Sequence, residues 1–230
     1  MTKTILKVIV GSRAHGLAGP DSDVDFRGVF LHPTSHILSI GAKPKLTDWV
    51  EGVPLPEGVE DTARGKVDDT AWELGHFLSL ATHCNPTILE VFAAPVEMAT
   101  ADGEWMRELL PMIWHPQGVK DAFVGYGLNQ RKKFLDGKDV RPHKYAVAYL
   151  RVLYQAHVLL TEGVLPVSMI GTPVYDTLKR WRAKDYTVGE VVETCLEWEQ
   201  RVRLAAPVCK QKQTFAEVND FLLDVRKRSW

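Results

Sequence analysis

The 230-residue sequence predicts an α/β (α+β) protein: a small mixed β-sheet followed by a C-terminal helical bundle. Two observations carry the prediction. The first is a strand–turn–strand unit in residues 5–31. An apolar run ends in Gly11-Ser12, a polar segment holding Gly16, Gly19 and Pro20 follows, and a second run opens at Asp21 and continues toward Leu31. The second is a change of character near residue 98, after which apolar residues recur at the three- and four-residue spacing of amphipathic helices. The chain therefore reads as a core, 1–98, and a helical domain, 99–230, with the transition falling in 98–118.

Composition narrows the class. A chain of this length can bury a sizeable core. The 28 basic and 29 acidic residues leave a net charge of −1, so there is no global electrostatic case for nucleic-acid binding. Cys84, Cys195 and Cys209 are odd in number and lack metal-ligand spacing, as expected of thiols in a reducing compartment. The N-terminal apolar run is too short for a secretion signal. No stretch approaches the roughly 18 apolar residues of a membrane span. A cytoplasmic protein without a membrane partner is expected.

In chain order, residues 5–10 form a buried strand. In Asp23-Val24-Asp25 strand alternation places the two carboxylates side by side and turns Val24 into the core. Arg27 shares the carboxylate face, and Arg13 and His15 are exposed in the turn. Residues 32–65 are rich in Pro and Gly, which punctuate regular structure; a short strand or helical turn fits 35–40, and the remainder is either a lid or an insertion. Asp68 and Asp69 precede a helical run from about Trp72 to Cys84, with a core stripe of Leu74, Phe77, Leu78 and Ala81. Either aspartate suits a helix N-cap. Asn85-Pro86 ends that helix, and a short one holding Glu90 follows. Further helices are expected over 104–113, 119–135, 144–162 (closed by Gly163), 174–182, 188–204 and 215–228.

Chemistry concentrates at the first turn. Adjacent carboxylates repel unless a cation neutralises them, and Mg²⁺, or Mn²⁺ in its place, is typically held by one or two carboxylates plus substrate phosphates. The Gly11-Ser12 turn offers N–H groups and a hydroxyl to phosphate oxygens. Lys144 and Arg151, seven residues apart, share a helix face and either meet a triphosphate or form a solvated basic edge. Tyr175, Trp181 and Tyr186 lie among Lys179, Arg180, Arg182 and Lys184, a pattern that stacks bases or marks a half-buried helix with snorkelling cations.

Gly-Ser followed about ten residues later by Asp-x-Asp resembles the core motif of the DNA polymerase β-like nucleotidyltransferase superfamily. The form GSRAHGLAGPDSDVDFRGVF is similar to a bacterial and phage group within it. Asp68–Phe92, DDTAWELGHFLSLATHCNPTILEVF, resembles that group's strand, helix and Asn-Pro-x-x-x-Glu pattern, and HKYAVAYLRVLYQAHVLLTEGVLPVSM resembles its helical part. The resemblance implies a metal-dependent enzyme that moves an NMP from an NTP to a hydroxyl acceptor and releases pyrophosphate. It implies Asp23, Asp25 and Asp68 as catalytic metal ligands, with Asp69 the alternative third carboxylate. Gly11, Ser12, Arg13, Arg27, Lys144 and Arg151 become the substrate-binding set. The base is not specified, nor is the acceptor, whether small molecule, protein or nucleic-acid end. Two other readings remain open: a catalytically silent nucleotide sensor or antitoxin-like partner binder, and a nucleic-acid binder using the C-terminal basic–aromatic helices.

Overall fold

The computed structural model describes residues 1–20, 22–48 and 69–230. Most of the Pro/Gly-rich segment and Asp68, expected as the third carboxylate, therefore lie outside the described residues.

The chain opens with β1 (Lys3–Val10), a one-turn helix α1 (Gly11–Ala14) and β2 (Asp25–Leu31). A short helix α2 (Thr34–Leu38) and a two-residue strand β3 (Thr47–Asp48) follow. Next come β4 (Thr70–Glu73), α3 (Leu74–Thr82), α4 (Pro86–Ala93) and β5 (Val96–Ala99). The rest is helical: α5 (Ala101–Arg107), α6 (Leu110–Ile113), α7 (Pro116–Asp136), α8 (Pro142–Glu162), α9 (Tyr175–Arg182), α10 (Val188–Leu204) and α11 (Ala216–Arg228).

The five strands form one mixed sheet in the order β3-β4-β2-β1-β5. β1 is antiparallel to β2 and β5, whereas β4 runs parallel to β2. Register decides what meets at the sheet's end: Val10, the last residue of β1, faces Asp25, the first of β2. On one sheet face Leu6, Val8, Val10 and Val29 join a core that extends through α3, α4, α8 and α10 to Val225 of α11. Phe30 and Ala71, with Phe26 beside them, form a small separate cluster. α8 is the bundle's central helix. Twelve of its side chains are buried, each large apolar one worth about 1.5–3 kcal/mol of transfer energy. It stops where Gly163 takes the left-handed conformation (φ 75°), which costs glycine no Cβ clash.

Three local expectations are corrected. Trp72 lies on β4, paired with Val29 and Thr47, so the helix starts two residues later; Thr70-Ala71-Trp72 is β-branched and aromatic enough to complete a strand. The N-cap is Glu73, whose Oε2 accepts the Gly75 N–H at 2.8 Å, not an aspartate. The single helix expected over 104–113 is two, because Pro111 occupies the first turn of α6, where a missing N–H is tolerated. Among the described residues no helix is long and apolar enough to cross a membrane.

Candidate active site at the Gly11–Asp25 turn

The first turn is built around Gly11. Its φ is +67°, and a Cβ there would fall 2.1 Å from Asp25 Oδ2. Any other residue meets both penalties: left-handed backbone and overlap with the carboxylate. The end of β1 thus lies directly against the Asp25 side chain. α1 closes with the His15 N–H donating to Gly11 O (3.1 Å) and the Leu17 N–H to Ser12 O (2.8 Å). The 163–175 segment holds this turn from behind: the Met169 N–H donates to His15 O at 3.0 Å, and the Tyr175 hydroxyl to Gly16 O at 3.3 Å.

Asp23 lies in the loop before the second strand rather than on it. β2 begins at Asp25, so Asp23 and Val24 precede it, and Val24 is 40 % exposed rather than in the core. The loop is instead fixed by side chains. Arg13 donates from Nη2 to Ser22 O (2.6 Å) and from Nε to Asp23 O (3.2 Å). Arg182 of α9 donates from Nη2 to Ser22 Oγ (2.9 Å). Arg13 accordingly positions the carboxylate loop. Asp69 stands just before β4, its Oδ1 accepting the Phe26 N–H at 2.8 Å, one residue along the chain from Asp25.

Beside this turn is a buried charge cluster that the sequence reading did not identify. Glu90 of α4, given no chemical role by its sequence context, is 5 % exposed. Its Oε1 lies 2.5 Å from His15 Nε2, and its Oε2 lies 3.8 Å from both Arg27 Nη1 and Arg151 Nη1. His15 is therefore buried, not exposed. Burial by itself opposes ionisation of Glu90, but His15, Arg151 and Arg27 together outweigh it and hold the carboxyl below the usual range. Burial, then the Arg151 charge, depresses the His15 pKa against the pull of Glu90; we read the pair as a neutral imidazole donating to a carboxylate. Arg151 is steered by Gln155, whose Oε1 accepts from Arg151 Nη1 (2.9 Å) while its Nε2 donates to Pro166 O (2.8 Å).

The structure therefore brings Gly11 against Asp25, ties Asp23 to Arg13, and gathers Arg27 and Arg151 on Glu90. Lys144 is exposed and has no ion pair among the described residues. Trp181 is fully buried, and Tyr175 and Tyr186 pack against the core, so the α9 aromatics face inward. A signal for Glu90 was present: it is the one charge in Ile88-Leu89-Glu90-Val91-Phe92, and a charge inside an apolar run needs a buried partner.

Among the described residues no group of three or more His, Cys, Asp or Glu is arranged to hold a metal. Asp25, packed on the Gly11 cradle, and Asp23, on the adjoining loop, nonetheless offer hard oxygen donors of the type that Mg²⁺ takes together with substrate phosphates.

A mixed sheet whose first strand ends in Gly-Ser against an aspartate opening the second defines a DNA polymerase β-like nucleotidyltransferase core. The model of the RNA repair pathway DNA polymerase beta family matches residues 1–180, and the chain belongs to that family. It is 23 % identical over 182 residues to an uncharacterized 38.9 kDa protein of Enterobacteria phage T4, covering 79 % of this chain and 50 % of that one. It is 24 % identical over 166 residues to the uncharacterized protein YcgL of Bacillus subtilis (strain 168), covering 71 % and 59 %. The chain thus spans between half and three-fifths of the length of these relatives.

Proposed function

We propose that the protein is a metal-dependent nucleotidyltransferase, with residues 1–98 as its catalytic core and 99–230 as a helical domain that completes the site. The observation that carries this reading is the Gly11 cradle against Asp25 Oδ2, which supports a phosphate site at the turn next to a carboxylate able to hold a metal. Asp23 and Asp25, with Asp68 as third carboxylate, would hold Mg²⁺ or Mn²⁺. When bound, the metal lowers the pKa of the attacking hydroxyl and neutralises charge on the triphosphate.

The chain's own residues do the positioning. Gly11 and Ser12 take the β- and γ-phosphates, and Arg27 and Arg151, fixed by Glu90, supply positive charge beside Asp25. The acceptor oxygen bonds to the α-phosphorus as that atom's bond to the β-bridging oxygen breaks. Pyrophosphate leaves with the electron pair, and the acceptor proton passes to solvent. The test is calorimetric titration with each of the four NTPs and Mg²⁺, for wild type and for the Asp23→Ala/Asp25→Ala variant. Metal-dependent binding abolished in the variant is expected; wild type that binds none of the four overturns the reading.

A further inference from the structure

We propose that Arg182 of α9, acting through Ser22, is a positioning residue for the metal-binding carboxylate of Asp23. On this inference α9 is the splint by which the helical domain sets the spacing between the phosphate turn and the metal loop. The proposal rests on the nucleotidyl-transfer reading for the roles of Gly11-Ser12 and Asp23.

The short helix meets the first turn with both of its ends. Tyr175, its first residue, donates from the hydroxyl to Gly16 O at 3.3 Å. Arg182, its last, donates from Nη2 to Ser22 Oγ at 2.9 Å. At 1.5 Å of rise per residue these two anchor points stand about 10 Å apart on one rigid rod. The segment leading into α9 adds a third hold, the Met169 N–H on His15 O at 3.0 Å. Gly16 makes the close approach possible: its φ is +70°, and a Cβ there would fall 2.4 Å from Ile170 Cγ1. The rod itself does not swing. Leu178 and Trp181 are fully buried, and Trp181 Nε1 donates to Glu190 Oε1 at 3.3 Å.

Ser22 is the joint. Its Oγ accepts from the Gly19 N–H and from Arg182 Nη2, each at 2.9 Å, which uses both lone pairs of the hydroxyl. The Ser22 N–H donates back to Gly19 O at 3.1 Å, so the loop is closed on itself just before Asp23. From the other side Arg13 holds Ser22 O and Asp23 O. All of these acceptors are neutral. Arginine ordinarily seeks a carboxylate, with which it pairs through two parallel N–H donors. Here two guanidiniums act within one residue of Asp23, yet its exposed carboxylate has no hydrogen-bond or ion-pair partner among the described residues.

That division of labour is what a metal ligand on a loop requires. The backbone and a serine are braced, and the carboxylate oxygens stay available to a cation. A ligand held in place beforehand loses little conformational freedom when the ion arrives, whereas one on a slack loop must be ordered at the expense of affinity. Arg182 lies two residues past the family-matched segment, residues 1–180, so this brace is a feature of the present chain. If the contact were only structural, its loss would lower the melting temperature and leave the metal affinity of the folded protein unchanged.

The test is Mn²⁺ titration without nucleotide, followed by electron paramagnetic resonance of the unbound ion, with a melting temperature for each sample. It compares wild type with Arg182→Ala, Arg182→Lys, Ser22→Ala and the Ser22→Ala/Arg182→Ala double variant. Arg182→Ala should bind Mn²⁺ about tenfold more weakly, the lower end of the loss seen when a partner behind a metal ligand is removed. Ser22→Ala, which keeps the guanidinium, reads the same contact without a change of charge and should lose at least as much. The double variant should bind no more weakly than Ser22→Ala, because both changes break one contact. Arg182→Lys retains a donor and should recover most of the loss. The inference is overturned if wild type binds no Mn²⁺, if Arg182→Ala binds it as tightly as wild type, or if the two single losses add. A loss that only tracks the melting temperature and is not rescued by lysine makes the contact structural and overturns it too. Mg²⁺–NTP calorimetry on the same samples separates the two claims. NTP binding with no metal defect in Arg182→Ala overturns the positioning role and leaves nucleotidyl transfer standing. Arg182-dependent Mn²⁺ binding without binding of any NTP overturns the transfer reading and leaves Arg182 positioning a metal ligand.

Discussion

Glu73 and Glu90 are both buried glutamates, and they are neutralised in opposite ways. Glu73, at the end of β4, uses both oxygens. Arg226 of α11 donates from Nη2 to Oε1 at 2.5 Å, and the Gly75 N–H donates to Oε2. Arg226 spends another donor on His32 O at 3.1 Å. One anion meets one cation and the pair is closed. Glu90 faces two guanidiniums, each at 3.8 Å, and a histidine at 2.5 Å. A separation of 3.8 Å is too long for a hydrogen bond, so Glu90 orients the arginines by charge alone, while Arg27 Nη1 donates to Thr87 O (3.4 Å) and Arg151 Nη1 to Gln155 Oε1 (2.9 Å). Two fixed cations against one fixed anion, with a neutral histidine, leave a net positive charge beside Asp25. Burial is common to both sites; on the proposed reading, the count of partners distinguishes a structural ion pair from a site for an anion.

Removing one arginine from each site should separate these roles. Arg226→Ala strands Glu73 in the interior without its cation and should cost about 3–5 kcal/mol, read as a lowered midpoint in urea unfolding, with NTP affinity unchanged where the variant is folded. Arg151→Ala leaves Glu90 with Arg27 and His15, so its stability cost should be about 1–2 kcal/mol. Its binding cost should be the larger effect. Losing a charge-assisted contact to phosphate, worth about 1.5–3 kcal/mol, weakens Mg²⁺–NTP binding about ten- to a hundredfold by calorimetry. If Arg151→Ala destabilises as much as Arg226→Ala and binds NTP like wild type, both glutamates are structural and the contrast collapses.

A smaller effect sharpens the same point. Glu90→Gln keeps the volume but releases two arginines from their counter-ion. Millimolar inorganic phosphate should then raise its melting temperature more than it raises that of wild type, because an anion that binds only the folded state stabilises it by mass action. Glu73→Gln leaves a single arginine already bonded to a backbone carbonyl, and should show no such gain.

Much of this was legible in the sequence where local chemistry governs. The apolar run into Gly11-Ser12, the helix boundary at Asn85-Pro86 and the stop at Gly163 follow from φ preferences and caps within a few residues. The central helix of the bundle follows from its apolar period. What was missed depends on distance in the chain. Alternation placed Val24 in the core because it assumed a strand from Asp21, whereas Arg13 and Arg182 hold that loop off the sheet. His15 was expected in solvent because nothing near it in sequence is its partner; Glu90 is 75 residues away. The basic–aromatic pattern around α9 fits a stacking platform and a core face equally in sequence, and only tertiary burial, with Trp181 fully buried, decides for the core.

The smallest effect concerns His15. Its folded-state pKa is depressed, by burial first and by Arg151 second, while in the unfolded chain it titrates near about 6.5. Below that pH the unfolded state takes up a proton that the folded state resists, so stability present above about pH 6.5 is lost as pH falls. Glu90 is also depressed, and its contribution has the same sign, but it is lost only below the ordinary carboxylate range near about 4.3. The window between pH 5 and 7 therefore isolates the histidine. His15→Gln keeps a donor for Glu90 and removes the titration. Urea unfolding across that window should show wild type losing stability more steeply than the variant, by no more than one proton's worth, about 1.4 kcal/mol per pH unit. Parallel slopes would mean that folding leaves the His15 titration unchanged, and a slope of opposite sign that His15 stays protonated in the folded protein. The Glu90 cluster would then carry two net positive charges rather than one, and its difference from the closed Glu73 pair would be larger still.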